Sequence, residues 1–159
     1  MSFVFPRNAR GYFRAVDEGR AGAPRFDSMF DEYYLCLMLG LDARRLGSDE
    51  DLESEKFYDT YPKEFQSQAD IIAGLLIDAE LDRQGINSED RASIEREMVR
   101  LLDPQSPVKL SDDGIRLLNQ YAAAGFKMIR DQIIAPHSLE DFLIAYHGVW
   151  AAAAPEEAP

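Results

Sequence analysis

The chain has 159 residues, 46% of them hydrophobic, and this length and composition suit a single domain with a buried core. Its formal net charge of −12 argues against non-specific nucleic-acid binding by most of its surface. A single cysteine excludes an internal disulfide, and no apolar stretch approaches the ~20 residues that cross a bilayer. We therefore expect a cytoplasmic protein.

The N-terminal segment differs in charge from everything that follows it. Residues 1–26 contain five arginines and two acidic residues, whereas the rest of the chain carries a net charge of −15. Phe3-Val4-Phe5 predicts a short strand or an extended hook, and residues 8–16 predict a short helix. Helix-breaking residues then follow at Gly19, Gly22 and Pro24. Residues 1–26 are thus predicted to form a basic, aromatic arm with a flexible joint.

Helical periodicity dominates the remaining chain. Residues 47–55 are the exception, because they are strongly acidic and lack apolar periodicity, which indicates an exposed loop. The small residues of Ala122–Gly125 predict a close helix crossing. The predicted helices are Ser28–Leu39, Lys63–Gln84, Ser88–Leu102, a fourth from Ser111 to the turn before Pro136, and a last one from Ser138 onward.

No segment alternates in polarity over more than three or four residues, so the predicted fold class is all-α. We expect a single-domain bundle of five to six helices around a long central helix, Lys63–Gln84, with an extended N-terminal arm. In this organisation residues 1–26 form the arm, residues 27–154 the helical domain and residues 155–159 a frayed tail.

The chain lacks the common signatures of catalytic and cofactor sites. There is no GxxxxGK[ST] or GxGxxG phosphate loop and no GxSxG nucleophile motif. The two histidines, His137 and His147, do not form the Glu-x-x-His pairs of di-iron bundles. Cys36 lies in an apolar run, which favours an inert core thiol. Asp78 and Asp82 are spaced to share a helix face, for which a solvated surface is the expected explanation. We therefore predict no catalytic residues, no metal site and no cofactor.

Two surfaces are candidates for partner binding. One is the acidic tract of residues 49–55, whose carboxylates would steer a basic partner surface. The other is the arm, in which arginines at helical spacing alternate with aromatic residues. Such a segment suits a hook for a partner protein, a contact to nucleic acid, or docking onto the chain's own acidic body. The candidate residues are Phe3, Phe5, Arg7, Arg10, Tyr12, Phe13, Arg14, Asp49, Glu50, Asp51, Glu53 and Glu55.

A short segment carries a resemblance to a known group of proteins. Phe26-Asp-Ser-Met-Phe-Asp-Glu-Tyr-Tyr-Leu-Cys-Leu-Met-Leu-Gly-Leu-Asp-Ala-Arg-Arg45 has an aromatic lead-in, a polar turn, and an apolar helix ending in Leu-Gly before basic residues. It resembles small accessory proteins of bacterial DNA-modification and defence gene clusters, of the dnd-associated type. The resemblance covers about 20 of the 159 residues and implies an accessory subunit that works beside larger nucleic-acid enzymes.

Together these observations predict a non-catalytic, protein-binding adaptor or accessory subunit of a larger complex. Its partner would present a basic patch or a groove for the arm, and nucleic acid would be contacted only through the arm. The alternatives are an acidic DNA mimic that inhibits a DNA-binding protein, and an unrecognised metal-dependent enzyme. Self-association through the aromatic residues Phe57, Tyr58 and Tyr61 is left open.

Overall fold

The computed structural model describes residues 2–153, and the predicted frayed tail at 155–159 lies outside this range. The described residues form six α-helices and one two-stranded sheet. In chain order the elements are β1 (Phe3–Pro6), α1 (Ala9–Asp17), α2 (Met29–Ala43), β2 (Leu52–Tyr58), α3 (Ala69–Arg83), α4 (Arg91–Leu101), α5 (Asp112–Gln132) and α6 (Leu139–Ala153). Short 3₁₀ turns at Asp49–Asp51 and Lys63–Gln68 precede β2 and α3.

The all-α prediction is wrong, because β1 and β2 pair as an antiparallel sheet. The residues expected to be an acidic loop extend directly into β2. Only Leu52 is buried in this strand, and its middle residues are exposed, so its sequence lacks the alternation that identifies a strand. The strand exists because β1, about fifty residues earlier, supplies its hydrogen bonds and a buried face.

β2 contains a bulge that shapes the surface discussed below. Val4 pairs with Lys56 and Pro6 pairs with Leu52, so β1 advances two residues where β2 advances four. The two additional residues bow the strand outward between Leu52 and Lys56 and increase its local twist. Bulges and charged side chains both protect an exposed strand from pairing with other chains.

The prediction of an extended arm is also wrong, and the arm docks on the chain's own body, which was one of the three options left open by the sequence. Phe3, Phe5 and Phe13 are completely buried in the single hydrophobic core. Phe3 meets Phe30 of α2 edge to face at 5.2 Å between ring centroids, and Phe13 meets Phe142 of α6 at 5.1 Å. Burial of one phenylalanine side chain stabilises a fold by about 1.5–3 kcal/mol. The aromatic residues that were predicted to contact a partner therefore hold the arm against the rest of the chain.

The central helix is α5, not the predicted Lys63–Gln84. That predicted helix is interrupted: Lys63–Gln68 is a 3₁₀ turn, and α3 begins at Ala69 and leaves Ile71 61% exposed. In contrast, α5 packs against α2, α4, α6 and both strands. A run of six residues, Tyr121–Phe126, is buried without interruption on this helix.

The predicted close crossing at Ala122–Gly125 is confirmed. A Cβ atom added to Gly125 would overlap the backbone carbonyl of Cys36 on α2, and one added to Gly40 would overlap the carbonyl of Tyr121. Both positions therefore require glycine for steric reasons, since the two backbones are in contact. This crossing fixes α2 against α5 and creates the platform on which the sheet and α1 pack.

Serine hydroxyls satisfy backbone N–H groups at the starts of α5 and α6, where the sequence predicts helices to begin. The Ser111 hydroxyl accepts a hydrogen bond from the Gly114 N–H, and the Ser138 hydroxyl accepts one from Asp141. Helix α4 begins later than the predicted start at Ser88, and its N-cap is Asp90. Across residues 2–153, no helix has both the length and the apolar character required to cross a membrane.

Candidate binding groove between α1 and β2

An open groove of about 910 Å³ separates the outer face of α1 from the bulge of β2. The residues that line it come from only these two elements and the turn before α1. They are Arg7, Asn8, Arg10, Gly11 and Arg14 on one wall, and Glu53, Ser54, Glu55 and Lys56 on the other. The fold therefore unites three arginines of the predicted arm with two carboxylates of the predicted acidic tract.

Helical spacing explains the α1 wall. Ala9, Tyr12, Phe13 and Val16 form its buried stripe, so Arg10 and Arg14, four residues apart, lie together on the opposite face. Arg7 lies before the helix, in the turn that includes Asn8. The Tyr12 hydroxyl donates a hydrogen bond of 2.8 Å to the Ile133 carbonyl at the end of α5. This contact and the buried stripe hold α1 rigidly, and the arginines project from a fixed support.

Arg10 joins the two walls of the groove. Its Nε lies 2.8 Å from both carboxylate oxygens of Glu53, and its guanidinium lies over the Phe5 ring at 5.5 Å from the centroid. Arg7 also bridges to β2, because its guanidinium donates to the Leu52 carbonyl at 3.1 Å. These contacts fix the width of the groove at one end.

Arg14 differs from the other two arginines. It is exposed, and its side chain has no hydrogen bond or ion pair among residues 2–153. On the opposite wall Glu55 is likewise exposed and unpaired within that range, whereas Lys56 pairs with Asp59 at 2.8 Å. Arg14 and Glu55 are thus the groove charges whose side chains are left without a partner in the described part of the chain.

Most of the acidic tract is paired within the chain. The Arg116 guanidinium on α5 hydrogen-bonds Asp49 at 2.7 Å, which holds the pKa of that carboxyl below its usual range. Lys127 contacts Asp51 at 2.8 Å and lowers its pKa in the same way. The tract therefore lies against α5 instead of forming a free row of carboxylates.

A smaller cleft of about 280 Å³ continues from the groove around the start of α1. It shares Arg7 and Asn8 with the groove, and it adds two carboxylates of the acidic tract and two cations of α5. The added charged residues are Glu50, Asp51, Lys127 and Arg130.

The predicted site residues fall into three groups. Arg7, Arg10, Arg14, Glu53 and Glu55 line the groove. Glu50 and Asp51 line the adjoining cleft, while Asp49 pairs with α5. The aromatic residues of the arm belong to the core: Phe3, Phe5, Tyr12 and Phe13.

Sequence reasoning did not select Ser54, Lys56, Lys127 or Arg130. No local signal marks them, since exposed polar residues at these spacings usually form ordinary solvated surface. Tyr61, considered above for self-association, is buried in the aromatic cluster.

Beneath α1 lies a buried acid that the sequence also did not reveal. Glu32 of α2 is 1% exposed, and neither of its carboxyl oxygens has a hydrogen-bond partner in the geometry of the described residues. Burial raises the pKa of Glu32 to about 9, and the neighbouring Asp17 carboxylate contributes in the same direction. The side chain is therefore neutral at pH 7.

No metal-binding cluster of three or more His, Cys, Asp or Glu residues occurs within residues 2–153. Asp78 and Asp82, the pair considered in the sequence, both accept from the Arg44 guanidinium, at 2.8 and 3.0 Å. Cys36 is fully buried, and this burial raises the pKa of its thiol.

Comparison with known proteins adds nothing to these observations. No protein-family model, curated protein or solved structure matches the chain. The resemblance of residues 26–45 to accessory proteins of bacterial defence clusters accordingly stays a prediction.

Proposed function

We propose that this protein is a non-catalytic binding protein, an adaptor or accessory subunit that docks a partner protein in the groove between α1 and β2. The observation that carries the proposal is the juxtaposition of Arg14 and Glu55, both exposed and unpaired within residues 2–153, on opposite walls of one groove. Charges of both signs at fixed positions favour an oriented protein contact, because each sign rejects a wrongly placed partner charge.

The support behind the groove also favours this function. Both walls rest on the aromatic core: α1 through Phe13, and β2 through Phe57 and Tyr58. A rigid, pre-formed surface binds without a large ordering cost, which is the usual behaviour of docking sites. The partner would therefore bind to the outer face of α1, which is held against the core, and not to a mobile N-terminal hook.

The alternative of an acidic DNA mimic receives less support. Such a mimic needs a row of unpaired carboxylates to imitate phosphates, which occur every ~1.7 Å along duplex DNA. In the densest acidic tract, Asp49, Asp51 and Glu53 pair with Arg116, Lys127 and Arg10.

We place the protein in the cytoplasm, since its one cysteine is a buried thiol with no role in a disulfide.

Site-directed cross-linking tests the proposal. Because Cys36 is buried, a Ser54→Cys variant has one accessible thiol, on the β2 wall, and it can be labelled with benzophenone maleimide. Illumination in an extract of the source organism should give one predominant adduct, identified by mass spectrometry. An excess of unlabelled parent protein should suppress it.

The matched control places the same label on the exposed face of α4 through Glu95→Cys. We expect no such adduct from this position. An identical adduct from both positions, or none from Ser54→Cys, would contradict docking in the groove.

A further inference from the structure

Resting on the proposed function, we infer that the groove holds an extended segment of its partner in which acidic residues at alternate positions face α1. The binding group on the protein is the row of Arg7, Arg10 and Arg14. The partner is thereby defined as a protein that presents a flexible or edge-strand segment with a Glu-x-Glu or Asp-x-Asp pattern.

The local charge supports an acidic ligand. Four cations and two anions line the groove, so it is a positive site on a molecule whose formal net charge is −12. The adjoining cleft adds two cations, Lys127 and Arg130, and two anions, which leaves this local excess unchanged. The rest of the molecule carries more acidic than basic residues, so an acidic segment is favoured at the groove over the average of the remaining surface.

Geometry supports the alternating pattern. Arg10 and Arg14 are one helical turn apart, about 6 Å along the axis of α1. In an extended peptide, alternate side chains share one face and lie about 6.6 Å apart. Carboxylates at alternate positions can therefore meet Arg14 and Arg10 together. The Arg14 guanidinium suits a bidentate contact, whereas Arg10 offers its Nη2 group, because its Nε and Nη1 already contact Glu53 and Met29.

The form of β2 decides how the segment is held. The bulge bows the main chain outward between Leu52 and Lys56, and charged side chains occupy this edge. Both features oppose addition of a further strand. The partner is consequently held by side chains, with its second face towards Glu55 and Ser54.

Nucleic acid fits this groove less well than an acidic peptide. Phosphates repeat on every nucleotide, and a polyanion of that density would be repelled by Glu53 and Glu55 as well as by the rest of the molecule. A peptide can place neutral or basic side chains on the face opposite its carboxylates. The groove's own acids therefore select a protein segment.

Fluorescence anisotropy with labelled model peptides tests the inference. The probes are Glu-Ser-Glu-Ser-Glu-Ser, a block peptide Glu-Glu-Glu-Ser-Ser-Ser of equal charge, Gln-Ser-Gln-Ser-Gln-Ser, and a ten-residue oligothymidylate. We expect the alternating acidic peptide to bind several-fold more tightly than the block peptide. We also expect binding to weaken between about 20 mM and about 300 mM salt as screening increases.

Two variants locate the binding. Arg14→Glu should weaken the alternating peptide by about tenfold, whereas Arg96→Glu, the same charge change on exposed α4, should change it less than about twofold. Arg14→Gln offers a milder second substitution, and circular dichroism confirms that each variant is folded. Equal binding of the block peptide, preference for the oligonucleotide, or equal effects of Arg14→Glu and Arg96→Glu would overturn the inference.

The cross-linked partner separates this inference from the proposed function. If the Ser54→Cys label gives a specific partner whose cross-linked segment contains no alternating acids, the adaptor function stands and the acidic-segment assignment fails. If no specific partner is captured, the adaptor function itself fails.

Discussion

The carboxyl of Glu32 on α2 is buried beside Asp17, the last residue of α1, without a hydrogen-bond partner for either oxygen in the geometry of the described residues. Two acids meet where the N-terminal arm docks onto the body. Asp31 adds a second negative charge beside the Glu32 carboxyl, and Arg10 offsets part of this effect. The arrangement is tolerated because Glu32 keeps its proton. It gives the arm–body contact a defined dependence on pH.

Glu32→Gln should therefore stabilise the protein, and more so as pH rises. Below about pH 4.5 both the folded and unfolded states hold the proton. Between that value and the folded pKa of about 9 only the folded state holds it, so stability falls by up to ~1.4 kcal/mol per pH unit. The amide cannot ionise, and we expect the variant to be more stable by about 1–3 kcal/mol at pH 7.

Urea denaturation at pH 5, 7 and 8.5 measures this difference. The exposed Glu95→Gln is the matched control and should show no such trend. A constant difference between Glu32→Gln and parent across these pH values would mean that Glu32 is ionised in the folded protein.

Gly125→Ala should be strongly destabilising, by several kcal/mol, because its Cβ would overlap the Cys36 carbonyl and force α2 away from α5. Gly74→Ala on α3 is the control, since nothing lies within 4 Å of its added Cβ. That change should stabilise the helix by about 0.5–1 kcal/mol. Thermal unfolding of the two variants should shift in opposite directions, and equal shifts would contradict the close crossing.

The second buried acid, Glu80, is ionised instead of neutral. Burial alone would raise its pKa, but hydrogen bonds from Arg83, Tyr121 and Gln84 outweigh burial and lower it. The Tyr121 hydroxyl donates at 2.6 Å. Tyr121→Phe should cost about 1.5–3 kcal/mol, because it removes a hydrogen bond to a charged group.

Tyr61→Phe is the matched control for Tyr121→Phe. Its hydroxyl is buried without a hydrogen-bond partner in the described structure, so its removal should be neutral or stabilising. Guanidinium denaturation measures the unfolding free energies of both variants, and equal values for Tyr121→Phe and Tyr61→Phe would contradict the role of the Tyr121 hydroxyl. Since the pKa of Glu80 is lowered, the contribution of this cluster is present above the usual glutamate pKa and is lost as pH falls.

The first 26 residues should be indispensable for folding. Phe13→Ala should cost about 3–5 kcal/mol, because it empties a fully buried aromatic site between α1 and α6. Deletion of residues 1–26 should leave no cooperative unfolding transition. A deletion variant with the parent's near-UV circular dichroism and unfolding midpoint would show that the arm is dispensable for the core.

Local sequence signals identified most helices, but not the elements made by distant contacts. Periodicity located α2, α4, α5 and α6, and the small residues near Gly125 indicated the crossing that forms. The sheet was missed because β2 has a single buried residue and depends on β1 for its definition. The same limit applies to the arm. Helical spacing placed Arg10 and Arg14 on one face of α1, although Arg7 lies in the turn before the helix, and it could not show what covers the opposite face.

The candidate site also combines features that have local sequence signals with features that depend on distant contacts. Charge counts selected both walls of the groove, whereas their proximity arose from the β1–β2 pairing. Burial of Glu32 had no sequence signal, because glutamate in the first turn of a helix normally lies in solvent. Non-local burial therefore explains both the errors and the omissions.

In the proposed function, the inner face of α1 holds the helix to the core and its outer face binds the partner. Substitution of Phe13 should therefore impair folding, whereas substitution of its neighbour Arg14 should impair only binding. The decisive measurement compares Arg14→Glu with its parent in the labelled Ser54→Cys background, recording cross-link yield and unfolding free energy together. We predict a loss of most of the adduct with stability within about 0.5 kcal/mol of the parent, as expected for an exposed surface substitution. An undiminished adduct from folded Arg14→Glu protein would contradict the account.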